Sequence, residues 1–221
     1  MSIEKDIIDQ ILQHPRAATL VKKANLLLKE EKERRLQFYN DITDEEKVEF
    51  INGEIIIHSP VKKEHNDVNS LLHTLLSVYV SKHNLGYVGI VKIMITLERN
   101  DYEPDLCFFT QKKAKAFKKG QSLFPAPDFV VEILSKGTAK NDRGIKFQNY
   151  EANEIAEYLI IDPVQQIVEL YRLNSNKEYE LILKSGEGTL KNTTIKGFAI
   201  PIAAIFDESK NLEALTAILS N

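Results

Sequence analysis

The segment from Phe129 to Leu134 constrains the fold more than any other part of the chain. All of its residues are apolar except Glu132, and such a nearly continuous apolar run is typical of a strand buried on both faces. It predicts a strand inside a sheet, with other elements packed against both sides. A carboxylate in such a strand is costly unless it pairs with a cation or binds a metal, so Glu132 is the first candidate site residue.

A second carboxylate interrupts another apolar strand. Asp105 lies between Pro104 and the apolar run 106–109. Because a proline has no N–H to donate to a sheet, Pro104 predicts a strand start, with Asp105 near the end or edge of the sheet. Either acid alone is typical of a salt bridge or a turn cap. Two acids that intrude into neighbouring apolar strands favour a functional site.

Asp128 competes with Asp105 as the partner of Glu132. It precedes Glu132 by four residues in the same strand, a separation of about 13 Å. The two side chains share a face of the sheet, but they cannot bind one ion together. We therefore predict that Asp128 is a structural residue at the strand entrance and that Asp105 and Glu132 form the functional pair.

The rest of the chain predicts one α/β (α+β) domain behind a helical extension. Residues 17–39 contain no glycine or proline and predict one long helix, so we assign 1–42 to the extension and 43–221 to the domain. Asn52-Gly53 predicts a hairpin. Strands are expected at 47–51, 54–58, 87–97, 102–109, 128–134, 157–161, 167–173 and 178–184, and helices at 60–82 and 142–153. This order predicts a central mixed β-sheet flanked by helices.

Composition restricts the cellular setting. Cys107 is the single cysteine, which excludes an internal disulfide framework and suits a reducing cytoplasm. The chain has no signal-like segment and no apolar run of the roughly 20 residues that a membrane span needs, so we expect a cytoplasmic protein without a membrane partner. The net charge of −3 gives no overall attraction to nucleic acid, although local basic surface and metal ions can offset phosphate charge.

Four further candidates lie on the expected helices. Glu64 precedes apolar positions 68, 71, 75 and 78 by steps of four and three residues, which predicts an inward-facing side chain. It is either a metal ligand or an acid favoured by the helix dipole in a first turn. His65 either orients substrate or another ligand, or only packs. Lys146 and Tyr150 share one face of a helix that Asn141 or Asp142 would cap. Carboxylate oxygens indicate Mg²⁺ or Mn²⁺, since no His-Cys group has zinc spacing.

Ordered motifs give the chain a resemblance to a known family. They comprise 103–106 (EPDL), 127–135 (PDFVVEILS), 142–150 (DRGIKFQNY) and 157–163 (EYLIIDP), with 52–65 upstream. In this order they resemble the Uma-type family of restriction endonucleases, which belongs to the PD-(D/E)xK nuclease superfamily. The resemblance covers roughly residues 47–206 and leaves the helical extension outside.

The resemblance implies a restriction-endonuclease-like core and an endonuclease that hydrolyses DNA phosphodiester bonds with Mg²⁺ or Mn²⁺. Asp105 and Glu132 would be catalytic metal ligands, and Glu64 and the carbonyl of Ile133 would be further ligands. Leu134 occupies the position where the superfamily has a lysine, so Lys146 on the following helix would replace it as the third catalytic residue.

Other residues are given supporting roles in this hypothesis. Lys136 is a weaker alternative to Lys146, because it lies about 13 Å along the strand from Glu132. His65, Asp142 and Tyr150 would support the site. A run of lysines between the two acidic strands would contact DNA phosphates if it lies beside the cleft, although such a run is more often a solvated loop. These lysines are Lys112, Lys113, Lys115, Lys118 and Lys119.

Two alternatives stay open beside an active DNA endonuclease, for which a homodimer is expected. The first is a catalytically weak nuclease-fold domain that acts as a nucleic-acid or protein binding module. The second is a protein without a nucleic-acid role, in which the acids are structural and the long helix mediates assembly. Metal binding separates the second alternative from the nuclease, and turnover separates the first.

Overall fold

The computed structural model describes residues 3–43 and 45–220, which form a mixed α+β fold. Its helices are α1 (Ile3–Gln13), α2 (Ala17–Asp41), α3 (Lys63–His83), α4 (Gln111–Ala114), α5 (Ala139–Asn141), α6 (Phe147–Ala152) and α7 (Glu208–Ser220). A π-helical turn (Asp142–Lys146) joins α5 to α6, and a 3-10 helix (Ile202–Ile205) precedes α7.

The strands are numbered in chain order. They are β1 (Val48–Ile51), β2 (Glu54–Ile57), β3 (Gly86–Ile90), β4 (Met94–Thr96), β5 (Asp101–Tyr102), β6 (Leu106–Thr110), β7 (Leu123–Phe124), β8 (Phe129–Ile133), β9 (Glu157–Asp162), β10 (Ile167–Leu173), β11 (Tyr179–Ser185), β12 (Thr189–Lys191) and β13 (Ala199–Pro201).

A mixed six-stranded sheet forms the centre of the molecule, in the order β11-β10-β9-β8-β6-β3. β8 and β9 are parallel, and the other neighbours are antiparallel. Every residue of β8 is buried, which confirms the buried strand that its apolar run predicts. The strands expected at 167–173 and 178–184 are present as β10 and β11, which pair as an antiparallel hairpin.

A second sheet has the order β2-β1-β5-β4-β7. The hairpin of β1 and β2 turns at Asn52 and Gly53, whose φ angles of 51° and 85° are those that this dipeptide tolerates. β12 and β13 form a separate pair. Both large sheets are mixed and flanked by helices, as the order of elements predicts.

The six-stranded sheet is buried on both faces because its central strands are apolar on both sides. Leu106 and Phe108 of β6 pack in one core together with α3 and α7. Cys107 and Phe109 pack in a second core against the five-stranded sheet and α6. Successive side chains of a strand point to opposite faces, so Asp105 shares its face with Cys107 and Phe109. The candidate site therefore lies between the two sheets.

The C-terminal part of α2 is fixed to the five-stranded sheet. The Arg35 guanidinium donates to both carboxylate oxygens of Asp101 over 2.6 and 2.7 Å, and the Tyr39 hydroxyl donates to the same carboxylate over 2.8 Å. Phe38 is buried against Phe50 of β1. One turn earlier, Arg99 donates to both oxygens of Glu31 at 2.7 Å.

Several expected boundaries are wrong. The strand expected at 87–97 divides into β3 and β4, because Val91 and Lys92 have positive φ angles of 38° and 59°. The strand expected at 102–109 is interrupted by 103–105. α3 begins at Lys63 instead of residue 60. No helix in the described ranges is long and apolar enough to cross a membrane.

Candidate active site between the sheets

Asp105 immediately precedes β6, and Glu132 lies on the neighbouring strand β8. β6 and β8 pair in antiparallel register, with Leu106 opposite Val131 and Cys107 opposite Val130. One step further along this register places Asp105 opposite Glu132. Both residues are buried: Asp105 is 5% exposed, and Glu132 is 2% exposed. The structure therefore brings together the two carboxylates that interrupt the apolar strands.

Asp105 is held by three donors at the outer edge of the site. The Lys47 ammonium lies 2.9 Å from Oδ1, His65 Nε2 lies 3.1 Å from Oδ2, and the Ile133 amide donates to Oδ2 over 2.8 Å. Burial alone would raise the pKa of Asp105, but the His65 contact, the Lys47 charge and the Ile133 hydrogen bond lower it below its ordinary value. Asp105 is therefore a fixed anion at neutral pH.

Glu132 lies deeper and is held by two donors on one oxygen. The Lys146 ammonium is 3.0 Å from Oε1, and the Tyr150 hydroxyl donates to the same atom over 2.7 Å. Burial and the nearby carboxylates of Asp142 and Asp105 raise the pKa of Glu132 to about 8, although the Lys146 charge opposes this. Glu132 therefore lies in an excess of negative charge.

Lys146 is surrounded by carboxylates. Besides Glu132, its ammonium lies 2.8 Å from Glu49 Oε1 and 3.5 Å from Asp142 Oδ1. Burial would lower the pKa of Lys146, but the carboxylates outweigh it and raise the pKa well above its ordinary value. The π-helical turn ends at Lys146, and the Asp142 carbonyl of that turn accepts a hydrogen bond from Tyr158 at 3.0 Å.

The candidates taken from the sequence divide into two groups in the structure. Lys146, Tyr150 and His65 contact the two carboxylates, Ile133 contacts Asp105 through its amide, and Asp142 contacts Lys146.

Glu64 lies outside this group. It is exposed, while His65, Val68 and Leu72 form the buried stripe of α3. The expectation that Glu64 faces inward is therefore wrong by one helical position.

The lysine run also lies away from the site. It follows the C-terminal end of β6, whereas Asp105 precedes the N-terminal end, so the five residues of the strand separate them by roughly 17 Å. Lys113 pairs with Asp128 at 2.9 Å, and Asp128 also accepts the Thr110 amide at 2.7 Å. The structural role expected for Asp128 agrees with these contacts. Lys112, Lys115, Lys118 and Lys119 are exposed, as is Lys136.

Sequence reasoning missed Lys47, Glu49, His58 and Glu103. Glu49 is fully buried in β1, accepts the Glu103 amide at 3.1 Å, and lies 3.0 Å from His58 Nε2. Burial would raise the pKa of Glu49, but Lys146 and His58 lower it to about 2. The available signal was the alternation Lys47, Glu49, Ile51, which gives all three one face of a strand.

The residues present fit a divalent cation with oxygen ligands. Five buried carboxylates gather around Lys47 and Lys146: Glu49, Glu103, Asp105, Glu132 and Asp142. Among residues 3–43 and 45–220, however, no group of three or more His, Cys, Asp or Glu side chains is arranged to hold an ion. Asp105 and Glu132 would therefore act as a pair, which suits Mg²⁺ because this ion usually keeps several waters and binds through one or two carboxylates.

The fold is similar to that of a protein of known structure. It is similar to the crystal structure of a putative nuclease belonging to DUF820 from Anabaena variabilis, with a TM-score of 0.67 and 20% sequence identity. The similarity covers 79% of this chain and 96% of that chain. This comparison confirms the expected restriction-endonuclease-like fold class.

The chain belongs to the Uma2 family, described as "Putative restriction endonuclease", whose model matches residues 33–203. The family resemblance found in the sequence is thus confirmed, and the match begins inside α2. Two uncharacterized proteins of Synechocystis sp. are similar: sll1609 is 28% identical over 64% of this chain and 81% of its own, and slr1290 is 25% identical over 73% and 84%.

Proposed function

We propose that the protein is a metal-dependent endonuclease that hydrolyses DNA phosphodiester bonds, with Asp105 and Glu132 as the ligands of Mg²⁺ or Mn²⁺. The observation that carries the proposal is the pairing of these two buried carboxylates across adjacent strands, in a site where acids outnumber lysines. The family description as a restriction endonuclease supports DNA as the substrate.

The residues of the chain would divide the work as follows. When bound, a divalent ion supplies charge neutralisation for the phosphate and a water of lowered pKa. His65 and the Ile133 amide orient the Asp105 carboxylate, and Tyr150 orients Glu132. The Ile133 carbonyl is a further candidate oxygen ligand. We leave Glu64 out of this set because it is exposed.

Lys146 would contribute through Glu132. Its ammonium touches Glu132, Glu49 and Asp142, so it offsets the repulsion among three buried carboxylates. Without that charge, the pKa of Glu132 would rise further above about 8, and its proton would compete more strongly with a metal ion. Lys146 is therefore proposed as a positioning residue, in place of the in-strand lysine that Leu134 replaces.

The proposal is tested by cleavage of supercoiled plasmid in Mg²⁺ or Mn²⁺. We expect Asp105→Asn and Glu132→Gln to lower the cleavage rate by more than about 100-fold, since metal-assisted charge stabilisation contributes several kcal/mol. Asp128→Asn is the matched control, because Asp128 precedes β8 at the end opposite Glu132. It should cleave like the wild type. Equal cleavage by all four proteins would rule out this site.

A binding module without efficient turnover is the second candidate function. The observation that favours it is the complete enclosure of Lys146, whose side chain is 2% exposed and contacts three carboxylates. In that case, titration calorimetry would detect Mn²⁺ binding that Glu132→Gln abolishes, while the wild type leaves plasmid intact.

We also propose that the protein is a homodimer assembled through residues 1–42. Large apolar side chains on α1 and the N-terminal part of α2 are exposed: Ile7, Ile8, Leu12, Leu20, Val21, Leu26, Leu27 and Leu28. Exposed apolar patches of this kind are typical of protein–protein contacts. Two joined copies would present two sites to the two strands of a duplex.

A further inference from the structure

We propose that Lys47 is the catalytic residue that contacts the substrate phosphate at Asp105. This inference rests on the proposed nuclease function and names a residue that the sequence motifs do not contain. It assigns the two lysines of the site to different tasks, one facing the substrate and one facing the protein.

The surroundings of Lys146 leave it little capacity for a substrate. Its side chain is 2% exposed, and its ammonium has carboxylate oxygens of Glu49, Glu132 and Asp142 at 2.8, 3.0 and 3.5 Å. An ammonium has three N–H donors. Glu49 and Glu132 lie within hydrogen-bond distance of the Lys146 nitrogen, and Asp142 makes an ionic contact without a hydrogen bond. The Tyr102 ring lies 5.7 Å from the same nitrogen. A phosphate oxygen could reach Lys146 only by displacing a carboxylate.

Lys47 lies on the solvent side of the same carboxylates. Its side chain is 20% exposed, compared with 7% for Asp105, 8% for His65 and 3% for Glu132. The Lys47 ammonium donates a hydrogen bond to Asp105 Oδ1 over 2.9 Å. Among the residues that the structure describes, Asp105 is its hydrogen-bond acceptor. With three donors on the nitrogen, two are available to the oxygens of a phosphate.

The strand that follows fixes Lys47 in this position. The Lys47 carbonyl accepts the His58 amide at 2.9 Å, and the Val48 amide donates to Glu103 Oε2 over 3.1 Å. Lys47 and Glu49 share one face of the strand. The segment 47–49 thus places the Lys47 ammonium next to Asp105 and the Glu49 carboxylate next to Lys146.

The geometry gives Lys47 an electrostatic role without proton transfer. It would stay an ammonium and donate hydrogen bonds to a non-bridging phosphate oxygen, where negative charge grows as water attacks phosphorus and the P–O bond to the leaving group breaks. Asp105 positions the ammonium next to the ion that it would bind. A lysine acts here as a point charge, and arginine can take over the charge with a different shape.

The test compares Lys47→Met, Lys47→Arg and Lys146→Met, with Lys118→Met as a control on the exposed lysine loop. Single-turnover cleavage of a duplex in Mg²⁺ should fall about 100-fold in Lys47→Met and recover in part in Lys47→Arg. In urea, the free energy of unfolding should fall less in the two Lys47 variants than in Lys146→Met, because Lys47 is partly exposed and pairs with one carboxylate whereas Lys146 is enclosed among three. Lys118→Met should behave like the wild type in both assays.

A second measurement does not depend on turnover. In a Glu132→Gln background with Mg²⁺, binding of a 20-base-pair duplex is measured at a series of NaCl concentrations. The association constant falls as salt rises, and Lys47→Met should make the slope of log K against log salt less steep by about one. An unchanged slope together with unchanged cleavage would overturn the proposal for Lys47. If the wild type does not cleave at all, the nuclease function fails, but the salt slope still decides whether Lys47 binds a phosphate.

Discussion

Replacing Asp101 tests whether α2 is part of the domain's structure or an appendage to it. Asp101 is fully buried and accepts three hydrogen bonds, two from Arg35 and one from Tyr39. The Arg35 side chain is 13% exposed and also donates to the carbonyls of Leu97 and Asn100. Asp101→Asn keeps the shape of the side chain but removes its charge and one acceptor.

The size of the effect follows from these contacts. Breaking one partner of a buried ion pair costs about 3–5 kcal/mol, and the asparagine keeps one acceptor oxygen. We therefore expect Asp101→Asn to lower the free energy of unfolding by about 3 kcal/mol, a large share of the roughly 5–15 kcal/mol of a typical domain. In a double-mutant cycle with Arg35→Gln, the coupling free energy should be about 2 kcal/mol, because Arg35 donates two of the three hydrogen bonds that Asp101 accepts.

The assay is equilibrium unfolding in urea, followed by circular dichroism. Glu33→Gln is the matched control on the same helix, because Glu33 is exposed and its ion pair with Lys29, at 3.9 Å, is exposed as well. It should change the free energy of unfolding by less than about 0.5 kcal/mol. An Asp101→Asn effect no larger than that of Glu33→Gln would refute the idea that this ion pair anchors α2.

Two further predictions concern pH and assembly. Burial would raise the pKa of Glu169, but hydrogen bonds from Arg143, Lys184 and Tyr171 lower it to about 2. Its contribution to stability is therefore complete above pH 4.5 and is lost as the pH falls toward 2. We expect Glu169→Gln to remove about 1–2 kcal/mol at pH 7 and little at pH 2, after allowance for its exposed partners; an equal loss at both pH values in urea unfolding would contradict this. Leu27→Lys should shift the mass in solution from dimer to monomer by light scattering, whereas Leu36→Lys, equally exposed on the anchored part of α2, should not. A dimer in both variants would exclude the N-terminal part of α2 around Leu27 as the contact.

The sequence predicted the parts of the site that violate a local pattern. Asp105 and Glu132 stand out because each is an acid beside or within an apolar strand, and burying a carboxylate is expensive. The buried strands, the hairpin at Asn52 and the long helix α2 follow from periodicity and turn chemistry in the same way. These features depend on neighbouring residues, so a single sequence contains them.

The remaining parts depend on which elements pack together. Lys47 and Glu49 read as the ordinary polar face of a hairpin strand, and only the second sheet shows that this face is buried against β6 and β8. The prediction that Glu64 faces inward was wrong for a related reason. Steps of three and four residues fit two adjacent helical faces, and the packing of α3 on the sheet selects the face with His65.

The pairing of Lys146 with Glu132 has a consequence for how the protein matures. Zinc fingers and similar domains fold only when their metal binds, because the free energy of metal binding supplies the free energy of folding. Here the deepest carboxylates already have a resident counter-cation supplied by the chain, at 3.0 Å from Glu132 and 2.8 Å from Glu49. We therefore expect the domain to complete its folding in a metal-poor environment, and loading of the proposed ion would then be a later exchange of partners within a folded domain.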